Sequence, residues 1–280
     1  MDDPALRAQV EAAKAYEALF VPALFEQWAS RIADTARVRP GERILDVACG
    51  TGILARTVLA RTGPTGHVVG LDRNGGMLAV AGEVAPSVQW QRGVAESLPF
   101  PDRCFDAVVS QFGLMFFTDR LQALREMWRV LTDDGRLVVA VWDAIETMPV
   151  FFAEVEVIER FGGREAADAL RAPFVLGGRD VLLATFTNAG VAPVAIGTHS
   201  GTARFPSLRT LVETDLRGWL PMMGVVLADE QIERILEQAE KDVGRHVRRD
   251  SGGIEFEIRA HIVSAAKPVT SRDIAQPDRV

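Results

Sequence analysis

The chain has 280 residues, 48% of them hydrophobic and 25% charged, and its formal net charge is −7. This length and apolar content allow a sizeable core and argue against extensive disorder. The acidic balance argues against a nucleic acid partner, and no apolar run reaches the roughly 18 residues of a membrane helix. With two scattered cysteines and four histidines, the sequence predicts a reduced, cytoplasmic protein without a metal site.

Residues 4–37 are predicted to be helical. Apolar residues recur every three to four positions over residues 4–37, and Pro22 interrupts them, so two helices or a kink are expected. These apolar helices would form either a lid or a homodimer interface.

An apolar strand then enters a glycine-rich turn. Residues 43–52 read Arg-Ile-Leu-Asp-Val-Ala-Cys-Gly-Thr-Gly, and the next apolar run ends on Asp72. A strand, a small-residue turn, a helix and an acid at the tip of the following strand predict a nucleotide-binding βαβ unit. Gly50 and Gly52 lack Cβ, so the backbone can approach a ligand closely, and Asp72 would accept hydrogen bonds from a ribose diol.

Asp46, at the end of the first strand, discriminates between ligands. A carboxylate beside the turn would repel the pyrophosphate of a dinucleotide and attract a cationic ligand. One alternative is that Asp46 only braces the turn. Another follows from Gly50, Gly52 and Ala55, which also match the G-x-G-x-x-G/A pattern of nicotinamide-dependent oxidoreductases.

Strands and helices alternate after residue 42, which predicts a parallel sheet wound on both faces. The predicted elements are strand 43–48, helix 52–62, strand 67–72, helix 75–83, strand 88–92, strand 105–110, helix 119–131 and strand 135–142. A helical stretch at 148–172 and a helix at 178–189 follow. Long alternating runs at 192–205 and 254–266 flank a helical insertion, and a polar tail is predicted from Pro268 onward.

Five blocks between Tyr16 and Trp142 resemble, in order, class I S-adenosylmethionine-dependent methyltransferases, in particular the group of the ubiquinone/menaquinone biosynthesis C-methyltransferases. They are residues 44–52 (ILDVACGTG), 70–78 (GLDRNGGML), 93–102 (GVAESLPFPD), 105–114 (FDAVVSQFGL) and 124–135 (LREMWRVLTDDG). The resemblance implies an α/β fold: a doubly wound, mostly parallel, seven-stranded Rossmann-like sheet with helical lid insertions, its final strand antiparallel and inserted beside its neighbour. It also implies S-adenosylmethionine as cofactor, S-adenosylhomocysteine as product and no metal. The cofactor is cationic and carries no phosphate, which suits Asp46.

The resemblance also implies a division of the chain. A helical lid occupies residues 1–40, the cofactor-binding core 41–145 and a second helical lid 146–175. The rest of the core occupies 176–280, with a helical insertion at 206–250. By analogy with the family, all three helical additions would wall off a pocket for the methyl acceptor.

The matching motifs assign the cofactor to one set of residues: Asp46, Ala48, Gly50, Thr51, Gly52, Asp72, Arg73, Met77, Val94, Ala95, Glu96 and Gln111. Ala48 stands where the family often has glycine, and it is tolerable if its φ stays negative. Val94 stands where the family commonly has an aspartate that accepts from the adenine amino group. Its loss would cost about 1.5 to 3 kcal/mol of affinity, unless a tilt of the loop lets Glu96 compensate.

The acceptor pocket is assigned to apolar residues: Phe20, Phe112, Met115, Phe116 and Trp142. Methyl transfer needs a base only for an alcohol or carbon acceptor; Tyr16 and His199 are the main candidates, beside Glu154 and Glu156. The sequence therefore predicts methyl transfer from S-adenosylmethionine to a small hydrophobic metabolite at carbon, oxygen or nitrogen. The alternatives are a nicotinamide-dependent oxidoreductase on a similar sheet and a non-catalytic S-adenosylmethionine-binding protein.

Overall fold

The computed structural model describes residues 4–250 and 252–268. The tail predicted from Pro268 onward lies outside them except for Pro268 itself. The strands are β1 Arg43–Val47, β2 His67–Asp72, β3 Gln89–Arg92, β4 Phe105–Gln111, β5 Leu131–Trp142, β6 Val194–Phe205, β7 Arg248–Asp250 and β8 Gly253–Ala266. They form one sheet in the order β3-β2-β1-β4-β5-β8-β6, with β7 paired to β8.

The first five strands are parallel, and β8 lies antiparallel between β5 and β6. This confirms the doubly wound, mostly parallel sheet with an inserted final strand. All seven predicted strands are present, and among the described residues the sheet has an eighth short strand, β7. Residues 248–250, predicted as part of the helical insertion, pair with β8 as a short hairpin.

The α-helices are α1 Pro4–Ala15, α2 Glu26–Thr35, α3 Ile53–Thr62, α4 Gly75–Val84, α5 Arg120–Arg129, α6 Pro149–Gly162, α7 Arg164–Arg171, α8 Arg179–Asn188, α9 Leu208–Thr214, α10 Leu220–Met222 and α11 Asp229–Asp242. The prediction of one helical stretch over 148–172 is wrong, because Gly163 adopts a φ of 90° and separates α6 from α7. Helix α5 ends before the predicted residue 131, because Leu131 already pairs with Phe105 as the first residue of β5.

The interruption expected at Pro22 is a π-helical segment, Tyr16–Phe25, between α1 and α2. Proline has no amide hydrogen and crowds the preceding turn, and the wider π-helical turn accommodates it without ending the helix. This segment, called here the cover segment, lies over the carboxyl ends of the central strands. Before it, α1 packs on α4 so closely that a Cβ at Gly76 would lie 2.5 Å from the backbone of Gln9.

After the cover segment, α2 docks on the edge strand β6. Gln27 Nε2 donates to the carbonyl of Thr202 at 2.8 Å, and the Thr202 amide donates to Gln27 Oε1 at 2.9 Å. The amide side chain thus pairs with a backbone edge that would otherwise be open. No helix in the described ranges, 4–250 and 252–268, is long and apolar enough to cross a membrane.

Candidate functional site

A cavity of about 30 Å³ lies at the carboxyl ends of β1 and β4. Its wall consists of Tyr16, Asp46, Ala48, Cys49, Gly50, Ile53, Leu54 and Gln111. The fold therefore brings together predicted site residues from the cover segment, the first strand, the glycine-rich turn and the end of β4. Cys49, Ile53 and Leu54 were not among the predicted residues. They line the cavity because they belong to the same turn and to the start of α3.

The backbone of the glycine-rich turn is left-handed at three positions, with φ of 58° at Ala48, 55° at Gly50 and 88° at Gly52. The condition set for Ala48, a negative φ, is therefore not met. An alanine in this region costs about 1 to 2 kcal/mol, which the packing around the turn must offset.

The two glycines differ in what surrounds them. Apart from Gly50 and its two chain neighbours, no atom of the described residues lies within 4 Å of the position that a Cβ on Gly50 would take, so this glycine leaves open space beside the turn. A Cβ on Gly52 would instead lie 2.3 Å from the indole ring of Trp90. Gly52 therefore makes room for a core side chain, in contrast to the prediction that it lets the backbone approach a ligand.

Asp46 is a buried carboxyl group with no ion-pair partner among the described residues. Its side chain is 1% exposed, and neither oxygen makes a hydrogen bond of standard geometry within the described ranges. Burial raises the pKa of Asp46 well above its usual range. The nearby Ala55 backbone amide, which falls short of a full hydrogen bond, lowers it in part, and the negative charge of Asp72 raises it further. A buried acceptor of this kind is stabilised by a ligand that brings a positive charge or a donor.

Asp72 joins the tip of β2 to the glycine-rich turn. Its Oδ2 accepts from the Gly50 amide at 2.9 Å, and its Oδ1 accepts from the Asn74 amide at 2.8 Å. Burial raises the pKa of Asp72, and these amides partly offset the rise. Because a carboxylate has about four acceptor positions, Asp72 retains capacity for two more donors such as a ribose diol.

The remaining predicted cofactor residues lie around these two acids. Thr51 is buried, and its hydroxyl has no hydrogen-bond partner among the residues described. Arg73 is exposed, and the Met77 amide donates to Asn74 Oδ1 at 3.2 Å in the first turn of α4.

The loop after β3 carries the residues predicted to contact the adenine. Val94 is 45% exposed and Ala95 is buried. Glu96 Oε1 accepts from the amides of Thr118 at 2.9 Å and Asp119 at 3.4 Å, so its carboxylate is held by the loop before α5. The compensation considered for Glu96 is therefore not present in this structure.

Tyr16 stacks on Phe25, with the ring centroids 5.4 Å apart. Burial raises the pKa of the Tyr16 phenol, and the charges of Asp72 and Glu17 raise it further. At neutral pH the hydroxyl keeps its proton and can only donate or accept a hydrogen bond, so the environment does not support Tyr16 as a base. Across the cavity wall, Gln111 Nε2 donates to the Phe25 carbonyl at 3.2 Å and Gln111 Oε1 has no partner among the described residues.

His199, the other predicted base, is exposed on β6, and β8 and β5 separate that strand from β4. The structure does not bring His199 to the cavity. Glu156 is exposed on α6, whereas Glu154 is fully buried and faces Asp215.

Aromatic rings connect most of the predicted acceptor residues. Phe112 stacks on Trp142 with centroids 3.9 Å apart, and Phe25 contacts both rings. Phe20 contacts Tyr16 on one side and Phe205 on the other. Two predicted residues do not belong to this cluster. Met115 is buried three residues after Phe112, and Phe116 is 39% exposed with its ring in contact with Trp219.

An ion pair fastens the cover segment to the core. Arg56 on α3 donates to Glu17 Oε1 at 2.8 Å and to the Thr51 carbonyl of the glycine-rich turn, also at 2.8 Å. The sequence carries no signal for this pair, because its two residues belong to separate helices and each resembles an ordinary surface charge. Among the described residues, no group of three or more His, Cys, Asp and Glu is arranged to hold a metal ion.

The inserted antiparallel strand and the acid-flanked glycine turn define a Rossmann-like fold of the class I methyltransferase type. Residues 45–139 match the family described as a methyltransferase domain. Over this region the chain is therefore similar to methyltransferase domains, among them those of the ubiquinone/menaquinone biosynthesis C-methyltransferases UbiE.

Among these, UbiE of Ectopseudomonas mendocina is 45% identical over 122 residues, which are 41% of this chain and 48% of that protein. UbiE of Xylella fastidiosa (strain M23) is 38% identical over 152 residues, 51% of this chain and 60% of that protein. The chain thus matches only about half the length of these relatives. The YcgJ protein of Bacillus subtilis shares the fold with a TM-score of 0.59 and 21% identity, over 86% of this chain and 98% of that one.

Proposed function

We propose that this protein transfers a methyl group from S-adenosylmethionine to a small hydrophobic metabolite. The observation that carries the proposal is the buried Asp46 carboxylate, which has no partner among the described residues and lies beside an open glycine turn. A phosphate-bearing dinucleotide would meet repulsion there, whereas an ammonium or sulfonium group would neutralise the carboxylate. This favours a methyltransferase over the nicotinamide-dependent alternative.

The acceptors present suit two parts of the cofactor. Asp46 would meet a cationic group, Asp72 retains acceptor positions for a ribose diol, and the Gly50 position leaves space beside the turn. The cavity is much smaller than the 300 to 1,000 Å³ typical of ligand pockets, so the cover segment has to move outward to admit a nucleoside.

When bound, S-adenosylmethionine supplies an electrophilic methyl group on a positively charged sulfur. The protein's contribution is orientation and exclusion of water. The rings of Phe25, Phe112 and Trp142 form an apolar cluster next to Gln111, and Tyr16 lines the cavity with a hydroxyl that stays protonated. We infer that opening of the cover segment would bring a hydrophobic acceptor against this cluster, and the names of the UbiE relatives favour a carbon as the accepting atom.

A thermal-shift titration with S-adenosylmethionine, S-adenosylhomocysteine, NAD and NADP tests the proposal. A ligand at 100 times its dissociation constant adds about 2.7 kcal/mol and raises the melting temperature by roughly 5 °C for a chain of this size. We expect this shift with the first two ligands only, and its loss in Asp72→Ala. A shift with NAD or NADP alone would overturn the proposal. Binding of S-adenosylmethionine without methyl transfer in a screen of hydrophobic acceptors would favour the non-catalytic alternative.

A further inference from the structure

Asp46 lines a closed cavity in which a negative charge would be poorly solvated. The residue is 1% exposed, and neither oxygen makes a hydrogen bond of standard geometry within the described ranges. The cavity of about 30 Å³ has room for about two water molecules. Burial raises the pKa of Asp46 well above its usual range.

The acidic groups near Asp46 disfavour a further negative charge. Asp72, at the end of the neighbouring strand β2, acts on Asp46 through its own charge. Cys49, in the glycine-rich turn, keeps its proton, because burial and the charges of Asp46 and Asp72 raise the pKa of its thiol. Neither group can compensate a charge on Asp46.

The elements that close the cavity bring no cation to Asp46 either. Tyr16 of the cover segment and Gln111 at the end of β4 are uncharged wall residues. Arg56 on α3 is engaged elsewhere, because it pairs with Glu17 at 2.8 Å and donates to the Thr51 carbonyl. The positive charge that would stabilise an ionised Asp46 therefore has to come from a ligand.

We propose that Asp46 is uncharged in the free, closed protein and that a cationic ligand binding beside it displaces its proton into the solvent. The O–H bond of the carboxylic acid breaks, its electron pair stays on the carboxylate, and the ligand's positive charge compensates the new negative charge. An unpaired buried carboxyl group is more stable neutral, and a paired one is more stable charged. This inference rests on the proposed function, because S-adenosylmethionine and S-adenosylhomocysteine supply the cation.

Calorimetric titration with S-adenosylhomocysteine in two buffers tests this inference, because the buffer that takes up the proton adds its own heat of ionisation. Phosphate and Bis-Tris differ strongly in this heat, so the difference between the two titrations counts protons. We expect release of about one proton per bound ligand at about pH 6.5. Because the complex holds one proton fewer than the free protein, the dissociation constant should fall about tenfold per pH unit between about pH 5 and about pH 7.

Two variants assign the proton. Asp46→Asn has no carboxyl proton to lose, so its binding heat should be the same in both buffers and its dissociation constant should not change with pH. Higher concentrations compensate for its weaker binding. Asp34→Asn removes an exposed carboxylate on α2 and should release the same proton as the wild type.

Carbon NMR of the aspartate carboxyl groups reports the same proton independently of affinity. The Asp46 signal of the wild-type protein is assigned by its loss in Asp46→Asn. We expect this signal to change from that of an acid to that of a carboxylate when S-adenosylhomocysteine is added. If Asp46→Asn binds no ligand, this change in the wild type decides the question.

The outcomes separate this inference from the proposed function. Proton release in the wild type that disappears in Asp46→Asn supports it, as does the expected change of the Asp46 signal. Binding without proton release, release that persists in Asp46→Asn, or a carboxylate signal already present in the free protein overturns this inference alone. Failure of the wild-type protein to bind either S-adenosylmethionine or S-adenosylhomocysteine overturns both proposals.

Discussion

At the scale of single residues, Asp46 shows how a binding site can conflict with stability. A fully buried carboxylate with neither oxygen hydrogen-bonded costs folding free energy, and its raised pKa expresses the same penalty. Asp72, by contrast, is stabilised by two backbone amides. The unsatisfied acid is the one that a cationic ligand would neutralise, so its cost in the free protein would be recovered on binding.

Asp46→Asn tests whether Asp46 binds a cationic ligand, because the substitution removes the charge and preserves the shape of the side chain. We expect S-adenosylmethionine to bind about 10- to 100-fold more weakly, the value of a hydrogen bond to a charged group. The melting temperature of the ligand-free variant should rise relative to wild type as the pH increases, because the raised pKa of Asp46 makes the stability of the wild-type protein fall with pH. The measurements are calorimetric titration and thermal melting, with the surface substitution Asp34→Asn as control. Unchanged affinity would show that Asp46 only braces the turn.

At the scale of elements, the cover segment and α3 form a closed pair. The Glu17 and Arg56 side chains are 22% and 21% exposed, and Arg56 also reaches the Thr51 carbonyl. One guanidinium therefore connects the segment that would have to open with the turn that would hold the ligand. On the other side of the segment, Gln27 anchors α2 to β6, so outward motion is expected before residue 26.

Glu17→Gln removes the ion pair while leaving Arg56 bonded to the turn. An ion pair of this exposure contributes up to about 1 kcal/mol, so we expect S-adenosylhomocysteine to dissociate roughly 3- to 5-fold faster. Stopped-flow displacement measures the rate. Asp34→Asn provides the matched control, since it breaks the Arg61–Asp34 pair between α2 and α3 without involving the cover segment. Equal dissociation rates in the two variants would rule out the ion pair as a fastening of the cover.

At the scale of the whole molecule, a buried acid pair joins the two later helical insertions. Glu154 lies on α6 with no exposed surface, and Asp215 begins the π-helical segment Asp215–Trp219 after α9. Burial raises the pKa of Asp215 to about 7, and burial with the charge of Asp215 raises the pKa of Glu154 well above its usual range. The folded protein therefore retains protons that the unfolded chain releases.

The sign of the pH dependence follows from these raised pKa values. The contribution of the pair to stability is complete below about pH 4 and declines as the pH rises toward the folded pKa of about 7. In this window each retained proton lowers the free energy of unfolding by about 1.4 kcal/mol per pH unit. Glu154→Gln removes one titrating group, so the free energy of unfolding relative to wild type should rise by roughly 1 to 3 kcal/mol between pH 5 and pH 7.

Urea unfolding at several pH values measures this difference. Glu156→Gln is the matched control, because Glu156 lies on the same helix with its side chain exposed. We expect its pH profile to run parallel to that of the wild type. A parallel profile in Glu154→Gln as well would show that the buried pair is not protonated in the folded protein.

The sheet, the glycine-rich turn and the two acids at the strand ends could all be predicted from the amino-acid sequence. These features are local: an apolar run, small residues and a carboxylate at short spacing predict a strand, a turn and the ligand-facing edge of a parallel sheet. The helical regions were also predicted, although Gly163 divides one of them.

The amino-acid sequence did not predict which distant side chains meet in the folded protein. The tertiary structure placed Trp90 against Gly52, gave Ala48 a left-handed backbone, left His199 exposed on an edge strand and buried Glu154 beside Asp215. The periodicity of apolar residues predicts which face of an element is buried but not which element packs against it. The role of a charged or aromatic residue depends on the residues it contacts, and those contacts depend on packing across the whole sheet.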